Sequence, residues 1–310
     1  MEFFHKQTNF PFMATRKVWY TLSVVLMITS FALLYFRGLN LAIDFTGGVT
    51  AQASFSQAPN VDAVRSKLEQ AGFRDPQVQL SGSSRDVAIR LPPTGQNVNE
   101  IRAKLEEALK SVDASAQLSN PDVRGPQVGG ELKTSAIWAL SFTLVLIFLY
   151  LAFRFHTWRL SFGAILAVLH DPILVLGWFA LSQTPFDLAV VAAILAVVGY
   201  SLNDTVVVFD RIRERFESNR RLQPDIALDQ SINQTLSRTI MTKVVTSIVV
   251  VALLILGGAA LKGFSEALMI GILAGTYSSI YISSAIALDC GLTAEHIFPT
   301  VKKTAVDHLP

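Results

Sequence analysis

Apolar residues along this chain fall into six runs of about twenty, each long enough to cross the roughly 30 Å hydrocarbon layer of a bilayer as a helix. The runs are predicted at 18–36, 135–153, 160–181, 188–209, 239–261 and 264–288. Short connections between most of them predict antiparallel neighbours in a compact bundle. The pattern is that of a polytopic α-helical membrane protein, with one transmembrane helix at 18–36 and five more within 134–289.

The long segment between the first two runs, residues 37–133, has the periodicities of a folded α+β domain. Alternating apolar residues predict strands near 49–55, 78–80 and 87–91 and a weaker one through 116–123, whereas spacings of three and four predict helices after Asn60 and from Val98. The order strand, helix, strand, strand, helix, strand is that of the ferredoxin-like fold. Lacking a Ser/His/Asp set or a histidine, the domain is expected to make contacts and not to catalyse.

Composition and charge support this interpretation and set the orientation. The chain is 51% hydrophobic and 16% charged, which excludes a water-soluble protein. Lys and Arg flank the first run and collect in the predicted loop 210–238, so this loop and both terminal segments, 1–17 and 290–310, are expected to be cytoplasmic and the α+β domain periplasmic. The net charge of +2 indicates no nucleic-acid partner, and the single cysteine, Cys290, excludes a disulfide scaffold.

Ionisable residues inside a span are costly, so each is a functional candidate. Asp204 follows Tyr200 and Asn203 in the fourth run, and Arg238 opens the fifth. Asp204 and Arg238 are expected at similar depth on neighbouring helices, where the arginine would favour the ionised carboxylate and burial the protonated one. These opposed effects suit a carboxyl that takes up and releases a proton, with Tyr200 and Asn203 as hydrogen-bonding groups. The alternative is a static pair that fixes helix register.

His170 and Asp171 precede Pro172 in the third run. Proline removes a helix hydrogen bond that a polar neighbour can compensate, so Asp171 is as consistent with a structural role as with a proton relay. Adjacent residues cannot share a helix face, and no metal site is predicted.

The sixth run carries small residues every fourth position, which permits close helix packing. The stripe consists of Ala267, Gly271, Gly275, Ser279 and Ser283. Its expected partner is the fourth run, which has its own small residues at Ala189, Ala192, Ala193, Ala196 and Gly199.

Three stretches resemble the SecD/SecF family of bacterial export proteins, part of the resistance-nodulation-division superfamily. Residues 44–48 read DFTGG, residues 199–204 read GYSLND and lead to DRIRE at 210–214, and residues 271–279 are similar to the family's glycine, threonine and serine segment. The six spans with one large loop after the first also fit the family.

The resemblance implies a subunit of the Sec protein-export complex in the inner membrane. Such a subunit associates with SecD, and through it with the SecYEG translocon, and uses the proton motive force to help unfolded secretory proteins across the lipid bilayer. In the family, the residues matching Asp204 and Arg238 are associated with proton passage. No enzyme activity, cofactor or metal is implied.

Taken from the residues alone, the DFTGG stretch favours a junction or hinge. Gly47 and Gly48 allow unusual backbone dihedrals or close approach where the membrane helix becomes a strand, and Asp44 suits a cap or a turn. Two other classes of function compete with export. One is a self-contained proton-driven efflux transporter, disfavoured because pumps of the superfamily carry two such helix sets and larger outer domains than this chain. The other is an intramembrane aspartyl protease using Asp171 and Asp204, disfavoured because the chain lacks a GxGD motif.

Overall fold

The computed structural model describes residues 8–81, 83–93, 97–155 and 157–298. Of the two predicted terminal segments, residues 1–7 and 299–310 lie outside this range. In chain order the described helices are α1 (Arg16–Phe36), α2 (Ile43–Thr46), α3 (Val61–Gln70), α4 (Val98–Lys110), α5 (Pro126–Phe155), α6 (Trp158–Ser182), α7 (Leu188–Ser218), α8 (Pro224–Leu256), α9 (Gly258–Tyr277), α10 (Ser283–Asp289) and α11 (Ala294–Ile297).

Six helical segments in the described part of the chain are long and apolar enough to cross a membrane, as the sequence predicts. They are Met13–Phe36, Val128–Phe155, Trp158–Ser182, Leu188–Ser218, Pro224–Leu256 and Leu261–Asp289. The outward faces of α1, α5 and α8 expose many large apolar side chains, whereas α6, α7 and α9 occupy the interior. A polytopic helical membrane protein with a small sheet domain is therefore confirmed.

The predicted loop 210–238 is wrong as a loop. Helix α7 continues to Ser218 and α8 begins at Pro224, so only residues 219–223 leave the helices. The apolar spacing does not stop at the end of the hydrophobic run: Ile212 and Phe216 on α7 pack in one buried cluster with Leu228 and Ile232 on α8. Burial of this continued stripe extends both helices beyond their most apolar parts.

The sequence predicts one helix for the sixth apolar run, but the structure divides this run into α9 and α10. The break between the fifth and sixth spans falls at Gly257, just before Gly258 with its positive φ of 65°, and not near position 262 as predicted. A π-helical turn at Ser278–Ile282 then separates α9 from α10. Such turns shift the side chains that follow them around the helix axis and often occur at functional sites.

The α+β domain has the predicted ferredoxin-like topology. Its strands are β1 (Gly48–Ser54), β2 (Gln77–Ser81), β3 (Ser83–Leu91), β4 (Gln117–Leu118) and β5 (Asp122–Arg124). The antiparallel order is β2-β3-β1-β4, and the weak last strand is split, since β5 also pairs with β1. Helices α3 and α4 cover the sheet through a core that includes Val64, Leu68, Ile101 and Leu105. The side chain of Asn60 caps α3, as expected from its position.

Candidate functional site: buried polar groups in the helix bundle

The interior of the bundle contains an ion pair between α7 and α8. The Nζ atom of Lys243 lies 2.7 Å from Oδ2 of Asp204, and their side chains are 6% and 7% exposed. A lysine and an aspartate at this depth stabilise each other, because either charge alone would be very costly away from water. Asp204 is thus one half of a charge pair that links two membrane-spanning helices.

Tyr200 on α7 also contacts Lys243 and the neighbouring residues of α8. Its ring lies 4.2 Å from the Lys243 ammonium, a cation–π contact. Its hydroxyl donates to the carbonyl of Thr242 at 2.9 Å and lies 3.0 Å from the Thr246 hydroxyl. One turn of α7 therefore presents both the carboxylate and the aromatic face to the same lysine.

The predicted pairing of Asp204 with Arg238 is corrected by the structure. Arg238 is exposed, and the base beside Asp204 is Lys243. The contacts of Tyr200 with Thr246 and of Asp204 with Lys243 set an antiparallel register in which Arg238 lies level with position 209. At 1.5 Å per residue, that is roughly 7.5 Å along α7 from Asp204. Asn203 is also exposed, whereas Asp204 beside it is buried.

A signal for Lys243 was present in the sequence. Arg238 lies at the end of its apolar run, whereas Lys243 lies further inside it. A cation deeper in the hydrocarbon region has the greater need for a counter-charge, because it cannot reach the aqueous interface as easily. The cost of burying a cation therefore favours Lys243, and not Arg238, as the partner of Asp204.

Asp171 lies in a second polar cluster at the centre of the bundle, with no exposed surface. Its Oδ2 accepts hydrogen bonds from the hydroxyls of Ser201 on α7, at 2.5 Å, and Ser278 in the π-helical turn, at 3.0 Å. Its Oδ1 lies 3.0 Å from Nδ1 of His170, whose Nε2 lies 2.8 Å from the hydroxyl of Tyr277. The π-helical turn begins at Ser278, directly after Tyr277.

The small-residue stripe packs α9 against α7, the partner helix that the sequence predicts. A Cβ atom added at Gly271 would lie 2.2 Å from Cγ2 of Val197, and one at Gly275 would lie 3.1 Å from the Ser201 side chain. The contact residues differ from those expected, since a Cβ at Gly199 would meet open space. The hydroxyl of Ser279 donates to the carbonyl of Thr276 in its own helix.

The DFTGG stretch joins the α+β domain to the bundle. Gly47 ends α2 with a φ of 70°, and Gly48 begins β1 with a φ of 127°. A Cβ at Gly48 would lie 2.4 Å from the carbonyl oxygen of Leu91. The Asp44 carboxylate accepts the backbone N–H of Leu188 at 3.1 Å and so caps α7. The domain is therefore hydrogen-bonded to the start of the helix that carries Asp204.

Opposite charges meet at this junction. Burial lowers the pKa of Arg90 on β3, and the nearby carboxylates of Asp187 and Asp44 oppose that shift. Burial raises the pKa of Asp187, which the N–H of Val190 opposes by donating to its carboxylate at 2.9 Å. Two carboxylates at the N-terminus of α7 complement the helix dipole.

Together these features define a multi-pass membrane protein whose α+β domain is attached to a bundle with buried charges. A family model described as "Protein export membrane protein SecD/SecF, C-terminal" matches residues 104–293, and one described as "SecD/SecF GG Motif" matches residues 32–59. The second match includes the junction glycines.

Known relatives extend the likeness over nearly the whole chain. The "Protein translocase subunit SecF" of Haemophilus influenzae is 46% identical over 299 residues, covering 96% of this chain and 91% of that protein. The SecF of Escherichia coli O157:H7 is 37% identical over 307 residues, covering 98% and 95%. The chain belongs to the SecD/SecF family of protein export membrane proteins. This membership favours export over the efflux and protease alternatives.

Solved structures share the fold. The crystal structure of SecDF from Thermus thermophilus, described as a translocon-associated membrane protein, matches with a TM-score of 0.83 and 37% identity over 91% of this chain. SecDF in a super-membrane-facing form matches with a TM-score of 0.69 and 36% identity over 93%. This chain covers 39% of each SecDF chain, so it corresponds to only part of those proteins.

Proposed function

We propose that this chain is a SecF subunit that uses the proton motive force, together with SecD, to assist the movement of unfolded secretory proteins through SecYEG. Family membership supports the export role. The observation that carries the proton-driven part is the buried pair of Asp204 and Lys243, which links two membrane-spanning helices. Inside a membrane bundle, the charge of a carboxylate that pairs with a lysine affects how the two helices pack.

Proton uptake by Asp204 would neutralise its carboxylate and leave the positive charge of Lys243 unbalanced. Neutral Asp204 no longer balances Lys243, and breaking a buried ion pair by removing one partner costs about 3–5 kcal/mol. Switching a two-state element from 1:99 to 99:1 needs about 5.5 kcal/mol. Each proton that crosses the membrane potential adds about 2.3 kcal/mol per 100 mV. One or two protons per cycle therefore suffice to favour a second arrangement of α7 and α8.

The α+β domain would follow such a rearrangement through its junction with α7. The Asp44 carboxylate caps this helix at Leu188, 16 residues before Asp204 in the same helix. At 1.5 Å per residue, the two points are roughly 24 Å apart along one rigid element. A shift of α7 would be transmitted to Gly47 and Gly48, whose positive φ angles suit a hinge.

An exposed polar residue supports a partner in the membrane. Asn203 is exposed on α7 one residue before the buried Asp204, where lipid would solvate its amide poorly. SecD, a second six-helix subunit, would cover this face. The part of the SecDF chains that this chain does not match is consistent with a separate SecD subunit. The lysines and arginines of 210–238 support cytoplasmic termini and a periplasmic α+β domain in the inner membrane.

The test of proton coupling is export into inverted membrane vesicles that contain the chain with SecD and SecYEG. Asp204→Asn should insert normally but lose the gradient-stimulated part of export. Glu217→Gln is the matched control, because it neutralises an exposed carboxylate on the same helix. Export by Asp204→Asn at the wild-type rate would refute the proposal.

The partner face has its own test. Asn203→Trp should reduce the SecD that co-purifies with the chain in mild detergent without crosslinking, because the added bulk blocks the face. Leu149→Trp, at an exposed apolar position on α5, should leave co-purification unchanged. Equal recovery of SecD with both variants would place the partner elsewhere, and isolation of the chain alone as a homo-oligomer would favour an efflux transporter.

A further inference from the structure

His170, Asp171 and Tyr277 form a continuous hydrogen-bonded chain inside the bundle. A carboxylate, an imidazole and a phenol follow one another at 3.0 Å and 2.8 Å, and His170 is 4% exposed. The imidazole lies between an anion on one side and a hydroxyl on the other, and the hydroxyl can either donate or accept.

The electrostatics of this cluster differ from those of Asp204. Asp171 has no exposed surface, and among the described residues its ion-pair partner is His170, with no lysine or arginine bonded to it. A fully buried carboxylate without a cation is costly, and hydroxyl donors such as those of Ser201 and Ser278 offset only part of that cost. Protonation of His170 is the one change within the cluster that supplies a full counter-charge.

A fourth group gives the cluster a second hydrogen-bonding arrangement. Ser23 on α1 is 5% exposed, and its hydroxyl lies close enough to the hydroxyl of Tyr277 to serve as a hydrogen-bond partner. The phenol therefore has two directions in which to donate, one towards Nε2 of His170 and one towards Ser23.

We propose that His170, Asp171 and Tyr277 form a second proton-binding site, which holds one transferable proton and adjusts the packing of α6 against α7 and α1. Without the proton, Tyr277 donates to Nε2 of neutral His170, and Nδ1–H donates to the Asp171 carboxylate. When a proton binds at Nε2, the imidazolium donates to both neighbours and the Tyr277 hydroxyl turns to Ser23. The cluster gains one proton and its net charge rises from −1 to 0.

The consequence is mechanical. With the proton bound, the carboxylate is balanced by an imidazolium, so it depends less on the hydroxyl of Ser201. Ser201 lies three residues before Asp204 on α7, and a Cβ at Gly275 would touch both Ser201 and Asp171. The neighbouring ionisable groups are therefore Asp204 on α7 and Lys243 on α8. This proposal rests on the proposed function only in taking the proton motive force as the source of the protons.

The test is nitrogen NMR of the full-length chain, labelled with ¹⁵N-histidine, in lipid nanodiscs. The chain has five histidines, and His170→Gln identifies the signal of the buried one. Between about pH 8 and pH 5, the range in which histidines change charge, this signal should pass from the neutral form protonated at Nδ1 to the doubly protonated form. A His170 that stays neutral throughout would overturn the proposal.

Two conservative variants change the hydrogen-bonding groups of the cluster while nearly preserving side-chain shape, so misfolding does not obscure the result. Asp171→Asn keeps the shape of the side chain but removes the anion, so the doubly protonated form should be lost. Tyr277→Phe keeps the ring stacked on Trp19, and the doubly protonated fraction at a given pH should fall because Nε2–H loses its acceptor. An unchanged transition in both variants would contradict the assignment.

Asp204→Asn separates this proposal from the proposed function. It should retain the transition of His170 even though gradient-stimulated export is lost. A neutral His170 combined with loss of export in Asp204→Asn would overturn only the second site. A titrating His170 combined with wild-type export in Asp204→Asn would overturn only the role of Asp204.

Discussion

The Lys243 ammonium lies 2.7 Å from the Asp204 carboxylate, and the two side chains are almost fully buried between α7 and α8. No other part of the described chain joins two membrane-spanning helices by opposite charges with so little exposed surface. The proton-driven account depends on this contact, because protonation at Asp204 would leave Lys243 uncompensated.

Removing Lys243 should destabilise the chain far more than removing Arg238. Lys243→Met leaves a buried carboxylate unpaired, at a cost of about 3–5 kcal/mol in the free energy of unfolding. Arg238→Met changes an exposed side chain and should stay within about 0.5 kcal/mol. The measurement is reversible unfolding of the full chain in detergent micelles.

The double variant tests the pairing itself. Asp204→Asn combined with Lys243→Met removes both charges and should recover most of the stability lost in Lys243→Met alone. If the two losses simply add, the contact does not contribute as an ion pair.

Close packing of α9 on α7 should be sensitive to a single methyl group. Gly271→Ala places a Cβ 2.2 Å from Val197, and such overpacking costs about 1–3 kcal/mol. Val197→Ala in the same chain should restore part of the lost stability, since it removes the two γ-methyl groups nearest to the added Cβ. Gly199→Ala is the matched control on α7, where open space surrounds the position. A comparable loss in the control would show that helix packing is not the cause.

The cap of α7 should depend on pH through Asp187. Burial raises the pKa of this carboxyl in the folded chain, so its ionised form is less favourable there than in the unfolded chain. Its contribution to stability is therefore largest below the ordinary value of 3.8 and is lost as pH rises through the raised value. Asp187→Asn keeps a good cap without the charge and should raise the unfolding temperature near neutral pH but not in acid. A lower unfolding temperature at neutral pH would mean that attraction to Arg90 outweighs burial.

The fold follows largely from local patterns in the sequence. Six apolar runs predict six spans, and period-two and period-three-to-four spacings predict β1, β2, β3 and the covering helices α3 and α4, together with one weak last strand that the structure divides into β4 and β5. What the patterns miss depends on long-range contacts. The extension of α7 and α8 comes from burial of Ile212 and Phe216 against the neighbouring helix. The π-helical turn at Ser278 has no sequence periodicity of its own.

The site could be predicted in its members but not in its pairings. The sequence marks Asp204, Tyr200 and Asp171 as costly polar groups, and the structure places all three in the bundle. Whether Arg238 or Lys243 meets Asp204 depends on the register between α7 and α8, which apolar residues alone leave undetermined. The partners of Asp171 on α7 and after α9 are set by tertiary packing in the same way.

The central claim is that Asp204 gains and loses a proton inside the bundle, and infrared spectroscopy tests it most directly. The measurement is the difference between spectra of the full chain with SecD in lipid vesicles at high and low pH, compared for wild type and Asp204→Asn. The account predicts a carbonyl band of a protonated carboxyl in wild type that is missing in Asp204→Asn. Identical difference spectra for the two proteins would contradict it.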